Sequence, residues 1–151
     1  MNTAINAAVS GALAATMRLN ASASNVANAR TTGPLPKGGL GAPTDAGEAA
    51  AAGRPYVPVQ TTQTAQAQDG GGGSGQSGGV RASYKPLTQP FVAEYQPDSA
   101  DANDQGLVAA PNVDLLQETV QQKQGLQSYK ANAAMIKAAD QTQREAINMK
   151  V

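Results

Sequence analysis

The chain has 151 residues with 11 basic and 11 acidic side chains, so its net charge is zero and its charge balance gives no attraction to nucleic acid or to a charged surface. Cysteine and histidine are both absent, which excludes disulfides, thiolate metal sites and imidazole-assisted catalysis. Thirty alanines outnumber 23 Val, Ile, Leu and Phe residues, and large apolar side chains at about 15% of the chain fall below the roughly 20% at which a self-sufficient core becomes hard to build.

Residues 1–30 predict a first helix, with Ile5, Val9, Ala12, Thr16, Leu19, Ala23 and Val26 following a seven-residue repeat. The seam is shallow and the rest of the surface is mostly alanine, so neighbouring backbones can approach closely on several sides. Gly11 costs such a helix about 1 kcal/mol against alanine. The first positive side chain is Arg18 and no continuous apolar stretch precedes it, so a cleaved secretory signal is not expected. Runs of about 18 apolar residues are missing, so no membrane span is expected either.

Residues 31–110 form an irregular middle. Thr31 to Gly53 mixes Gly, Pro and Ala, and Asp69 to Gly79 is glycine-rich enough to be a flexible coil. Three segments, 56–62, 80–84 and 91–95, cluster β-branched and aromatic residues between Pro or Gly breaks and predict a small antiparallel sheet or hairpin. Pro58 belongs at an edge of it, and the glycine run 70–79 at its mobile tip.

From Pro111 onward there is no further proline, and residues 111–151 predict a second helix, whose stretch from Leu115 to Ile147 spans about 50 Å at about 1.5 Å per residue. Asp114, followed three residues later by Gln117, reads as a capping-box start. The seam continues through Leu115, Thr119, Gln122, Leu126, Tyr129, Ala133, Ile136, Asp140, Gln143 and Ile147. The fold expected is mainly α: a long helix at each end, with a small β-hairpin and irregular middle between them, each helix needing a partner along its length.

No constellation for chemistry emerges. The glycine run lacks the Gly-Lys-Ser/Thr of a phosphate cradle. Asp98, Asp101 and Asp104 before Gly106 are spaced by three rather than two, with no closing glutamate, and read as turn residues rather than a calcium loop. Neither an enzyme nor a cofactor or metal site is expected.

Two stretches resemble a known family. Ser24-Asn25-Val26-Ala27-Asn28-Ala29, followed by Thr31-Thr32-Gly33, resembles the signature closing the N-terminal helix of flagellar rod, hook and hook-associated proteins. Asp101-Ala102-Asn103, Gly106-Leu107-Val108 and Pro111-Asn112-Val113-Asp114, with Ser128-Tyr129-Lys130-Ala131-Asn132, resemble the pattern of the FlgC family of proximal rod proteins. Leu107 and Ala110 stand where that family tends to have tyrosines. The resemblance covers about half of the chain, at both ends.

It implies that the two terminal helices pack as an antiparallel, coiled-coil-like pair, and that the chain is a structural subunit of the proximal rod in the bacterial flagellar basal body, assembling helically through those helices into the drive shaft and the wall of the export channel. Implied partners are further copies of the chain, the rod proteins FlgB, FlgF and FlgG, FliE, and the flagellar type III export apparatus, with periplasmic localisation reached without a cleaved signal peptide. The implied assembly interface comprises Ile5, Val9, Leu19, Asn25, Val26, Asn28, Leu115, Leu126, Tyr129, Asn132, Ile136 and Ile147. The alternative is a monomeric helical-hairpin binding module or secretion-system adaptor. Asn25 and Asn28 separate the two, as exposed helix caps in a lone hairpin and as buried amides in a tube.

Overall fold

The computed structural model describes residues 2–40, 54–66 and 78–149. In chain order the elements are α1 (Asn2–Ala27), β1 (Val59–Ala65), β2 (Val80–Pro86), β3 (Phe91–Tyr95), β4 (Leu107–Pro111) and α2 (Leu115–Asn148). Asp114 caps α2 as its sequence predicts: an extended residue, φ −92° and ψ 108°, whose carboxylate accepts from the amides of Leu116 and Gln117.

The two helices run antiparallel. Ser22 meets Glu118, Leu19 and Ala15 meet Gly125, and Gly11 meets Asn132. These contacts are backbone-close. A Cβ built on Gly125 would lie 3.1 Å from Leu19 Cγ, and one on Gly11 would lie 2.6 Å from Asn132 Oδ1. A side chain at position 11 would displace the Asn132 amide, and one at position 125 would press Leu19 aside by a few tenths of an ångström, so both glycines let a side chain of the facing helix lie directly on the backbone.

Strands β1 and β2 form an antiparallel hairpin, Val59 opposite Pro86 and Ala65 opposite Val80. The hairpin lies lengthwise on α1. Val59 is bonded to Asn25 at one end, while at the other the Val80 amide donates to Ser10 Oγ at 3.1 Å. The lengths agree, since seven strand residues and the helical stretch from Ser10 to Asn25 each span about 22 Å. Ser10 Oγ also donates to the Ala7 carbonyl, and a Cβ on Gly79, at φ +142°, would stand 2.5 Å from it. The end of the glycine run is therefore seated on α1. The expected mobile tip falls mainly on 67–77, outside the described residues.

Strands β3 and β4 make a second antiparallel pair, Phe91 opposite Pro111, which packs against neither helix nor the first sheet. Residue 33 extends it, with Gly33 and Ala109 exchanging both backbone bonds at 3.0 and 2.8 Å. Val57, Phe91 and Ala109 form the core beneath, with Leu35 and Leu40 against them. Asn103 organises the β3–β4 connection, its Oδ1 accepting from the amides of Gln105 and Leu107, and Gly106 supplies the positive φ of 72°.

The mainly α, coiled-coil-like expectation is overturned on two counts. The described residues are 48% helical and 20% strand, in two separate sheets. Nor do the helices meet through seams of large side chains. Among the described residues α2 buries Gly125, while α1 buries Ala8, Ala14, Ala15, Ala21, Ser22 and Asn25. Side chains this small bring the backbones too close for knobs-into-holes packing, and α1 must also accommodate a hairpin along its length. The fourth strand, Leu-Val-Ala-Ala-Pro, has little β-branched character. Pairing on both of its edges makes it a strand.

Candidate functional site

On α1 the residues that meet α2 are Gly11, Ala15, Leu19, Ser22 and Asn25, and all of these but Leu19 stand one position before a residue of the seam read from the sequence. One residue is about 100° of helical rotation, so Val9 and Val26 turn outward, while Leu19 still reaches Gly125. Val9 is 41% exposed, and Val26 is also exposed; Ile5 and Leu19 are half-buried. On α2, Leu115, Leu126, Tyr129 and Ile147 are exposed and Ile136 is half-buried.

The two seams come together on one side of the pair. Leu19 and Ala23 from α1 and Thr119, Gln122 and Leu126 from α2 line a groove of about 500 Å³ between the helices. Its walls are mostly apolar, and no described segment of the chain covers Leu126.

Behind the groove lies a polar junction that joins three stretches of chain. Asn25, 1% exposed, donates from Nδ2 to the Val59 carbonyl at 2.8 Å and to Glu118 Oε1 at 2.7 Å. Its Oδ1 accepts from the Val59 amide and the Tyr56 hydroxyl, both at 3.0 Å. All the hydrogen-bonding positions of this amide are thus filled from within the chain. Tyr56 has one proton to give, and its oxygen lies 3.0 Å from Ser24 Oγ, close enough to accept the serine's. Ser22 Oγ donates to the Glu118 carbonyl at 3.0 Å. Burial pushes the Tyr56 phenol above its usual range; the Ser24 bond opposes this, and the nearby Glu118 charge adds to it.

Asn28 is half-buried and donates to the Ser24 carbonyl, closing the last turn of α1. Asn132 donates to the Ser128 carbonyl with its side chain held against Gly11. Asn112 pins the start of the second helix to the 89–90 turn through Nδ2 to the Gln89 carbonyl and its own amide to that of Pro90. Tyr56 and Glu118 carry no mark of a site residue in the sequence, because their partner Asn25 lies 31 and 93 positions away. The one available signal is a tyrosine bracketed by prolines in an otherwise polar stretch.

Among the described residues no group of three or more acidic side chains is placed to hold a metal ion, and no helix is long and apolar enough to cross a membrane. No curated protein matches the chain. Residues 104–149, from the β3–β4 connection to the end of α2, match the family described as flagellar basal body rod FlgEFG protein C-terminal. That is a family of structural rod proteins rather than enzymes. The match spans about a third of the chain and supports a structural protein of the flagellar basal-body rod family, without distinguishing one member from another.

Proposed function

We propose that this chain is a structural subunit of the proximal rod of the flagellar basal body, of the FlgC type. In this reading residues 1–30 and 111–151 supply the axial helices and 31–110 an outer, strand-containing middle. The observation that carries the proposal is the groove between the helices, where both seven-residue seams stand open at once. A helix pair that spends its small residues on internal contact and turns Val9, Val26, Leu126 and Tyr129 outward at heptad spacing is suited to further helices of the same kind. The rod-family match over 104–149 supports the class, and the FlgC-like pattern through Asn103, Gly106, Asn112 and Asp114 supports the member.

Assembly then proceeds by packing each pair against those of neighbouring subunits, with Asn25, Asn28 and Asn132 serving from inside the subunit by fixing the geometry of the pair. FlgB, FlgF, FlgG and FliE are the proposed neighbours, and the flagellar type III apparatus the route of delivery. A monomeric hairpin module has no use for seams left open on one side. Deletion of the gene tests the reading: cells without hooks and filaments are expected, and normal filaments on the deletion strain would overturn it.

A further inference from the structure

Residues 54–59 cross from the β3–β4 body to the helix pair, and what they touch there is the junction itself. Val57 is buried in the core with Phe91 and Ala109, and Pro58 is fully buried beside it. Tyr56 and Val59 supply three of the four hydrogen bonds of Asn25, and the fourth comes from Glu118 in the first turn of α2. Remove the strap, and α1 and α2 meet at this end with one of the four Asn25 bonds, that to Glu118; water then satisfies the rest of the amide in paired and unpaired helices alike, so those positions add nothing to pairing.

We propose that the 54–59 segment is a strap whose docking on Asn25 is coupled to pairing of the terminal helices at this end, so that the helices close only on a subunit whose middle is already in place. The coupling is directional in space. It joins the strap, the end of α1 and the start of α2, and leaves the β3–β4 sheet out, because that sheet touches neither helix. The proposal does not depend on the rod reading. In a rod it would withhold the groove between Leu19 and Leu126 from incompletely folded subunits, since the groove exists only when both helices are paired.

Amide hydrogen exchange of the full chain, followed by mass spectrometry, tests it with two variants. Tyr56→Phe removes a hydroxyl that bonds to α1 and not to α2, and Val59→Pro removes the amide that Asn25 accepts. The expected result is faster exchange in 115–126 together with 59–65, about fivefold for Tyr56→Phe, the equivalent of about 1 kcal/mol, and more for Val59→Pro, with 91–95 and 107–111 unchanged. Three results would overturn it: faster exchange at 59–65 with 115–126 at the wild-type rate, an equal rise in every peptide including 91–95, or no protection of 115–126 in the wild-type chain. A rod-defective phenotype has no bearing on these outcomes, so failure here is distinguishable from failure of the functional reading.

Discussion

At one end of the helix pair a single amide is saturated by two other segments, while toward the other end Gly125 and Gly11 let Leu19 and Asn132 of the facing helix lie directly on the backbone. The two arrangements do different work. Hydrogen bonds to Asn25 are directional, so they admit one register of α1 against α2 and one seat for β1. The contacts at Gly11 and Gly125 are dispersion contacts, individually small, that supply closeness along the length but little discrimination between registers. Register in this molecule is set at the polar end and propagated through the small residues.

The most damaging single change should therefore be Asn25→Ala. It leaves the Val59 amide and carbonyl without their partner, while the half-buried Glu118 carboxylate can turn to water, and at about 1 to 3 kcal/mol for each of the two Val59 groups the expected loss is about 2 to 6 kcal/mol. The urea unfolding midpoint of the purified chain measures it. A change below about 1 kcal/mol would mean that the junction is not formed in solution. Gly125→Val should cost less, about 2 kcal/mol, because the new side chain meets Leu19 and the Ala15 carbonyl and the helices must part to admit it. If it instead stabilises the chain, as its better helix propensity alone would dictate, the backbones are not in contact at this crossing.

Asp114→Ala should cost about 1 kcal/mol through loss of the α2 cap, read from the same unfolding curves, and should leave the α1 contacts intact. The smallest effect is one of pH. Tyr56 has its pKa raised in the folded chain, chiefly by burial, so the stability held by its protonated form is fully present below the unfolded value of about 10 and is lost as pH rises through the folded value. Tyr56→Phe should flatten that alkaline limb of the stability profile. An identical limb in the variant would place the phenol in water.

These contrasts also explain what could be read from sequence. The period of the helices was legible, and so were the Asp114 cap and the three segments that became β1, β2 and β3, because each rests on neighbours a few residues apart. The phase of α1 was not. A seam is located by its largest apolar residues, which assumes that the largest go inside. In a helix flanked by both a second helix and a hairpin, the inner positions went to Ala8, Ala15 and Ser22, and Val9 and Val26 faced out. Strand β4 was hidden for a related reason, since two alanines in a row carry no strand signal and only pairing with β3 and Gly33 fixes them. The signature residues were visible as a pattern, but not their use. Asn25 knits the junction, Asn103 and Gly106 make the β3–β4 turn, Asn112 and Asp114 launch α2, and Asn132 lies on Gly11. Each is a joint within one chain.

On the proposed reading the outward seams, and not the inner stripe, carry assembly. Leu126 is the residue to change, since it is 46% exposed, lines the groove, and takes no part in the polar junction. The direct measurement is recovery of the Leu126→Asp subunit in purified basal bodies, set beside its urea unfolding midpoint. The expected result is a midpoint within about 1 kcal/mol of wild type and no subunit in the basal bodies, because a carboxylate buried between subunits has no partner. Wild-type recovery of the variant in basal bodies of swimming cells would contradict it.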